Sequence, residues 1–151
     1  MNFGSSFGIS ASALTAQRLR MDVISSNIAN AETTRASVVD GKAVPYRRKL
    51  VVLESVQKDK FSDILNTKMS GANSSSGGVK VQAITEDSSP LKPVYNPSHP
   101  DADENGYVYM PNVDITKEMV DMLSASRSYE ANVTMLNASK AMVMKGLEIG
   151  R

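Results

Sequence analysis

The sequence contains no cysteine. That removes disulfides, thiol nucleophiles and thiolate metal ligands, and it leaves the chain indifferent to the redox poise of its compartment. Tryptophan is also absent, and with only 5 Tyr and 3 Phe the large rings are too few for a thick globular core. The single histidine, His99, stands between Pro97 and Pro100, so neither a His-based metal set nor a Ser-His-Asp triad can be built within one chain. No serine occupies a G-x-S-x-G elbow. Asp101, Asp103 and Glu104 lie on a proline-bounded loop, a poor scaffold for the paired carboxylates of a hydrolase. An excess of one charge is lacking too: 17 Lys and Arg against 16 Asp and Glu leave +1, which gives no global attraction to nucleic acid. No stretch approaches the ~18 uninterrupted apolar residues of a membrane span. The opening MNFGSSFGIS has neither the basic start nor the apolar run of a cleaved signal peptide. No enzyme activity and no cofactor are expected.

What is present is periodicity. From about Ser10 to Ala31 the sequence reads as a helix, with Phe7, Leu14, Met21 and Ile28 recurring every seven residues and Ile24 beside them. Leu19 and Val23, with Ala16, fall on nearly the opposite side, and a helix apolar on two faces calls for two neighbours. Asn27 and Asn30 are poor helix formers near its end; they are expected either to cap that end or to hydrogen-bond to a neighbouring helix. From Asp114, a plausible N-cap, to about Ile149 the signal is stronger. Ile115, Met122, Tyr129, Leu136 and Val143 sit at intervals of seven, Met119, Val133 and Leu147 run beside them, and Ala125 fills a d position. No proline interrupts the run, and about 35 residues at ~1.5 Å each give a helix of roughly 52 Å. The 9 Met residues supply flexible side chains suited to adaptable helix–helix surfaces.

The middle, about Thr33 to Asn112, changes character. Tyr46–Leu53, Val79–Ile84 and Tyr107–Met110 have strand composition. Met69–Gly78 is small, polar and glycine-rich and reads as a mobile loop, Phe61–Lys68 as one short helix, and Pro90, Pro93, Pro97 and Pro100 exclude a helix between the second and third strands. Charge is unevenly placed. Residues 35–60 carry seven basic and three acidic side chains (7 − 3 = +4), and residues 86–104 one basic and five acidic (1 − 5 = −4), so the two stretches can attract each other within a chain or between chains. Arg47-Arg48-Lys49 reads as a solvated or intersubunit face. Asp101 to Gly106 matches the first half of a calcium loop, but Asn112 stands where a bidentate Glu is required. The plainer reading is an Asx-rich turn in which Gly106 supplies positive φ; the alternative is a calcium-regulated binding module using Asp101, Asp103 and Asn105.

The expected fold is mainly α with a small β arm. Long N- and C-terminal helices pair as an antiparallel coiled-coil hairpin, with an extended β-hairpin and loop segment between them. Residues 1–34 with 114–151 form the terminal-helix domain, and residues 35–113 the arm. Pairing closes one seam and leaves Leu19 and Val23 outside it on one helix, and Val120, Leu123, Met135 and Met142 on the other. At ~25 cal/mol per Å², several such side chains left wet forfeit a few kcal/mol, a large share of a domain's stability. Other subunits are the natural cover, and an isolated copy is expected to be partly unfolded at its termini. On the first helix the expected subunit-contact residues are Phe7, Leu14, Leu19, Met21, Val23, Ile24, Asn27, Ile28 and Asn30. On the second they are Ile115, Met119, Met122, Leu123, Tyr129, Asn132, Val133, Leu136 and Val143.

The run from Ser12 to Thr34, with Asn27-Ile28-Ala29-Asn30-Ala31 at its centre, resembles the N-terminal signature of bacterial flagellar rod and hook proteins. Arg127-Ser128-Tyr129-Glu130-Ala131-Asn132 is a second match inside the long terminal helix. The short length and the segment Gly106 to Asp114 are similar to the proximal rod member of that family. The likeness covers about Phe3–Thr34 and Tyr95–Gly150 well and Gly41–Ser89 weakly. It implies export through the flagellar type III apparatus without a cleaved signal, and assembly in the periplasm into the rod of the drive shaft. The implied neighbours are other copies, other rod subunits and the adaptor protein between membrane ring and rod. It further implies that the terminal helices form the inner layer around the export channel, with the β arm outside, and that the work done is transmission of torque.

Overall fold

The computed structural model describes residues 3–39, 42–56 and 77–149. Helix α1 spans Phe3–Ala29; it is followed by β1 (Ser37–Val39), β2 (Lys42–Val44), β3 (Lys49–Ser55), β4 (Val79–Glu86), β5 (Lys92–Tyr95), β6 (Tyr107–Met110) and helix α2 (Ile115–Ile149). The expected short helix at Phe61–Lys68 and the glycine-rich loop before Gly77 lie outside the described residues. Among the described residues the strands form three two-stranded ribbons, β1–β2, β3–β4 and β5–β6. None of the described helices is long and apolar enough to cross a membrane.

Local chemistry accounts for the element boundaries. Helix α1 begins before Ser10 because Gly4 and Gly8 weaken a helix without interrupting it, and no proline stands in the way. It ends where the Asn30 side-chain amide donates to the Ser26 carbonyl at 2.8 Å and the Asn30 backbone N–H donates to the same oxygen at 3.1 Å. Helix α2 begins as expected. The Asp114 carboxylate accepts from the N–H of Thr116 at 3.0 Å, and the Asp114 carbonyl from the N–H of Glu118 at 2.9 Å. Strand β3 starts three residues later than Tyr46. The N–H of Tyr46 is taken by the Thr33 carbonyl, and that of Arg48 by the Asn112 side chain, so neither joins the ladder.

Strand β5 lies in the segment where the prolines exclude a helix, and it contains Pro93. The antiparallel register sets Pro93 opposite Tyr109 and Tyr95 opposite Tyr107, and Asn96 N–H bonds the Gly106 carbonyl at 2.9 Å. Hydrogen-bonded pairs alternate along such a ribbon, so Pro93 falls at a position whose missing N–H points away from the partner strand. The Tyr95 and Tyr107 rings meet edge-on with centroids 5.4 Å apart. Gly106 has φ 78°, as the turn reading requires.

The described residues divide between two compact units. One draws on Met1–Leu19, Val52–Ala83 and Ala125–Arg151, the other on Arg20–Val51 and Ile84–Ser124. In the first, Ala16 and Ala125 are buried and Gly78, with φ 118°, lies against α1. Ser12 Oγ donates to the Ile9 carbonyl at 2.7 Å and accepts the N–H of Val79 at 3.2 Å, and a Cβ on Gly78 would stand 2.6 Å from it. Gly78→Ala is therefore expected to destabilise the chain by about 1–3 kcal/mol, read as a lower unfolding midpoint in urea. An unchanged midpoint would show that β4 does not dock on Ser12.

The second unit holds the larger core. Val23, Ile24, Asn27, Tyr46, Val108, Val113 and Glu118 are all buried there. The helices pack together in this unit: Asn27 of α1 meets Glu118 of α2, and Arg20 meets Asp121 at 4.0 Å, so moving back along α1 moves forward along α2. One line of covered positions on α2 runs through Glu118, Met122, Ala125, Tyr129, Asn132, Leu136, Ser139 and Val143, and Asp121, Ser126, Ser128 and Val133 beside it are half-buried as well. On α1 two lines are covered, one through Leu14, Met21, Ile24 and Ile28 and one through Ala16, Val23 and Asn27. The expectation that Val23 stands bare is corrected. It is 8% exposed, on the line through Ala16 and Asn27 that the chain itself covers. Leu19 is half-buried.

Candidate assembly interface

The two helices carry opposite kinds of outer face. Apart from Ile9, at 41%, the exposed positions of α1 are small or charged: Gly8, Ala11, Thr15, Arg18, Asp22, Ser25 and Ala29. The outer positions of α2 remain apolar. Val120, Leu123, Met135 and Met142, the four placed outside the helix seam by their spacing, are each 59–63% exposed. Met119, Met144 and Leu147 are exposed as well. Solitary exposed apolar side chains are ordinary on a protein surface; eight on one helix, Ile115 included, are not, and such a surface marks a contact to another macromolecule.

The expected contact residues sort into three groups. Ile115, Met119 and Leu123 are exposed. Phe7, Leu14, Leu19, Met21, Ile28, Met122, Tyr129, Val133, Leu136 and Val143 are half-buried. Val23, Ile24 and Asn27 are already covered within the chain, so in a single copy they belong to its own core rather than to an outer surface. Asn30 and Asn132 spend their amide donors on local helix carbonyls, those of Ser26 and Ser128, each at 2.8 Å.

Asn27 is the centre of a buried polar cluster. Its amide nitrogen donates to the Lys49 carbonyl at 2.9 Å and to Glu118 Oε2 at 3.0 Å. Its amide oxygen accepts from the Tyr46 hydroxyl and from the N–H of Lys49, both at 2.9 Å. Two donors and two acceptor lone pairs are the full capacity of an asparagine side chain, and all four are filled. Toward Lys49 the amide behaves as a neighbouring strand would, taking both backbone groups of the first residue of β3. Glu118 Oε1 accepts from Arg48 Nε and Nη2, each at 2.6 Å. Arg48 also lies 3.5 Å from Asp121 and 3.7 Å from Asp87. The reading of Arg47-Arg48-Lys49 as a solvated or intersubunit face is thus wrong for Arg48, whose side chain is 13% exposed. Burying a guanidinium and the 1%-exposed Glu118 is tolerable only because each is charge-paired and hydrogen-bonded.

The attraction between the basic and acidic stretches is realised inside the chain. Arg48 meets Asp87, and Arg35 meets Asp101. The Asp101 carboxylate also accepts from Thr34 Oγ1 at 3.0 Å, so its oxygens are occupied. Among the described residues no three His, Asp or Glu side chains gather to hold a metal ion, and the calcium-module alternative finds no support. Hydrogen bonds from Arg35 and then Thr34 hold Asp101 below the ordinary carboxyl value of 3.8; bonds from the Ser89 side chain and N–H, with the charge of Arg48, do the same for Asp87. A folded-state value below the unfolded one stabilises the fold above the unfolded pKa, and that contribution disappears as pH falls through the folded value. Stability is accordingly expected to fall off below about pH 4. In an Asp87→Asn, Asp101→Asn chain followed by circular dichroism from pH 5 downward, that fall should be shallower; an identical acid profile would remove both groups from the account.

Comparison with known proteins places these features. A family profile described as "Flagella basal body rod protein" matches residues 7–36, and one described as "Flagellar basal body rod FlgEFG protein C-terminal" matches residues 104–149. The chain is similar to the flagellar basal-body rod protein FlgC of Bacillus subtilis (strain 168), with 60% identity over 97% of each chain. It is 44% identical to the protein of the same name from Borreliella burgdorferi, over 99% of this chain and 98% of the relative. The one from Salmonella typhimurium is 45% identical over 96% of each. The profile matches cover most of α1 and all of β6 and α2, the parts that carry the buried polar cluster's helical members and the exposed apolar face.

Proposed function

Since this chain belongs to the FlgC family of flagellar basal-body rod proteins, we propose that it builds the proximal part of the rod by burying the outer face of α2 against neighbouring subunits. The chain is a structural subunit of the bacterial flagellar basal body and not an enzyme. The finer reading has residues 1–34 and 114–151 acting as the assembling, coiled-coil part and residues 35–113 as an outer arm. In it the subunit leaves the cell through the flagellar type III export apparatus without a cleaved signal and joins the rod in the periplasm. Other copies, other rod subunits and the adaptor between membrane ring and rod are its neighbours. The terminal helices surround the export channel, and torque passes through their interlocked seams.

One observation supports this reading above the others: Val120, Leu123, Met135 and Met142 are apolar, on one long helix, and more than half exposed in a single copy. Covering such side chains is worth about 1–2 kcal/mol each, enough to drive association once repeated over many neighbours. The test is Leu123→Glu combined with Met135→Glu. Basal bodies should be lost and cells become non-motile, while the stability of the free chain changes by no more than about 0.5 kcal/mol. Normal motility with both glutamates present would falsify the assignment of this face.

A further inference from the structure

With no cysteine in the chain, methionine is its only sulfur, and the thioether is the side chain most open to two-electron oxidation. Met135 and Met142 are 62% and 59% exposed. Seven residues apart on α2, they stand in one line two turns from each other. Ala131 and Ala138, also exposed, occupy the alternate positions of that line, so small methyl groups flank Met135 on both sides along it, and Met142 stands between Ala138 and the exposed Lys145. Met122, by contrast, lies on the covered side of the same helix and is half-buried.

We propose that Met135 and Met142 form a peroxide-sensitive modification site that decides whether a free subunit can enter the rod. The inference rests on the reading that this face is buried on assembly. A thioether lone pair attacks one oxygen of hydrogen peroxide. The S–O bond forms as the O–O bond breaks, and the departing hydroxide takes up the remaining proton as water. Sulfur is oxidised by two electrons and the peroxide is reduced by the same two. The product carries a strong S=O acceptor where an apolar methylthio group had stood. On the free chain that oxygen is hydrated at no cost. In a dry helix–helix contact it is stripped of water and left without a donor, which opposes docking. Assembly in turn shields both sulfurs, so sensitivity is confined to subunits awaiting incorporation.

The experiment compares sulfoxide at each methionine by peptide mass mapping in three samples: the free full-length chain treated with hydrogen peroxide, isolated basal bodies treated identically, and basal bodies extracted from cells pulsed with peroxide while rods are being built. In the free chain Met135 and Met142 should oxidise faster than Met122. In isolated basal bodies both should be protected. In pulsed cells the incorporated pool should carry about tenfold less sulfoxide at these positions than the free pool. Met135→Leu with Met142→Leu should keep rod numbers constant through a pulse that lowers them in the wild type. Should the leucine pair itself fail to build rods, overproduction of methionine sulfoxide reductases restoring rod numbers in pulsed wild-type cells is the equivalent readout. Equal oxidation in free and assembled chains overturns both this site and the buried-face reading. Protection in basal bodies together with equal sulfoxide in free and incorporated pools overturns the site alone.

Discussion

Asn27→Ala is expected to lower the free energy of unfolding by about 3 kcal/mol, at the upper end for loss of a single polar side chain. The expectation comes from the number of groups orphaned. Alanine removes a partner of the Lys49 N–H and carbonyl, of Glu118 Oε2 and of the Tyr46 hydroxyl, all held at 2.9–3.0 Å around a side chain only 1% exposed, and of these the Tyr46 hydroxyl keeps a contact to Ser26 Oγ at 3.4 Å. Each buried group left without a partner keeps its desolvation penalty with nothing to offset it. Tyr46→Phe, which removes one of the four bonds, should cost about 1 kcal/mol by the same reasoning. The measurement is urea unfolding of the full chain, with a fall in midpoint at unchanged slope. A loss for Asn27→Ala no larger than that for Tyr46→Phe would mean that the four bonds do not act together.

Arg48→Met should be as damaging, by about 3–5 kcal/mol, because it strands the Glu118 carboxylate in the core without its counter-ion. The informative comparison is the double substitution with Glu118→Leu. Removing both charges leaves an apolar contact of similar bulk and one unpaired donor on Asn27, and most of the loss should be recovered. A coupling energy of about 2 kcal/mol or more between the two sites is expected from such a cycle. Additive losses would show that Arg48 acts through Asp121 and Asp87, 3.5 and 3.7 Å away, rather than through Glu118.

Much of the fold was legible in the sequence, because its dominant signals are local. The interval of seven in Ile115–Val143 located α2, Asp114 marked its start, and strand-like composition found β3, β4 and β6. The spacing also picked out Val120, Leu123, Met135 and Met142 as outer positions. The polar cluster was not legible as a cluster, since Asn27, Arg48 and Glu118 are separated by up to 91 positions along the chain and only tertiary packing joins them. A signal for it did exist. Glu118 stands four residues before Met122, on the stripe that Met122, Ala125 and Tyr129 continue, and a charge on an apolar stripe points to a buried partner. Arg48 was misjudged because three consecutive basic residues look solvated, whereas the irregular segment just before β3 brings its guanidinium onto Glu118. Strand β5 was overlooked because the weight given to proline concerned helices; in a two-stranded ribbon half of the N–H groups are not needed.

Helices patterned by sevens have a weakness that apolar contacts cannot cure: sliding one past the other by a full repeat restores nearly the same side-chain meshing. The Asn27–Glu118 contact behaves as a vernier mark against that. Displaced by one repeat, the amide of Asn27 would face Ala125, a bare methyl group, while Glu118 would be carried off from Arg48. Only one alignment therefore lets Asn27, Glu118 and Arg48 meet, and every copy takes the same helix register there. In the rod proposed above, a shared register would make the copies interchangeable, so that any one of them could fill any position.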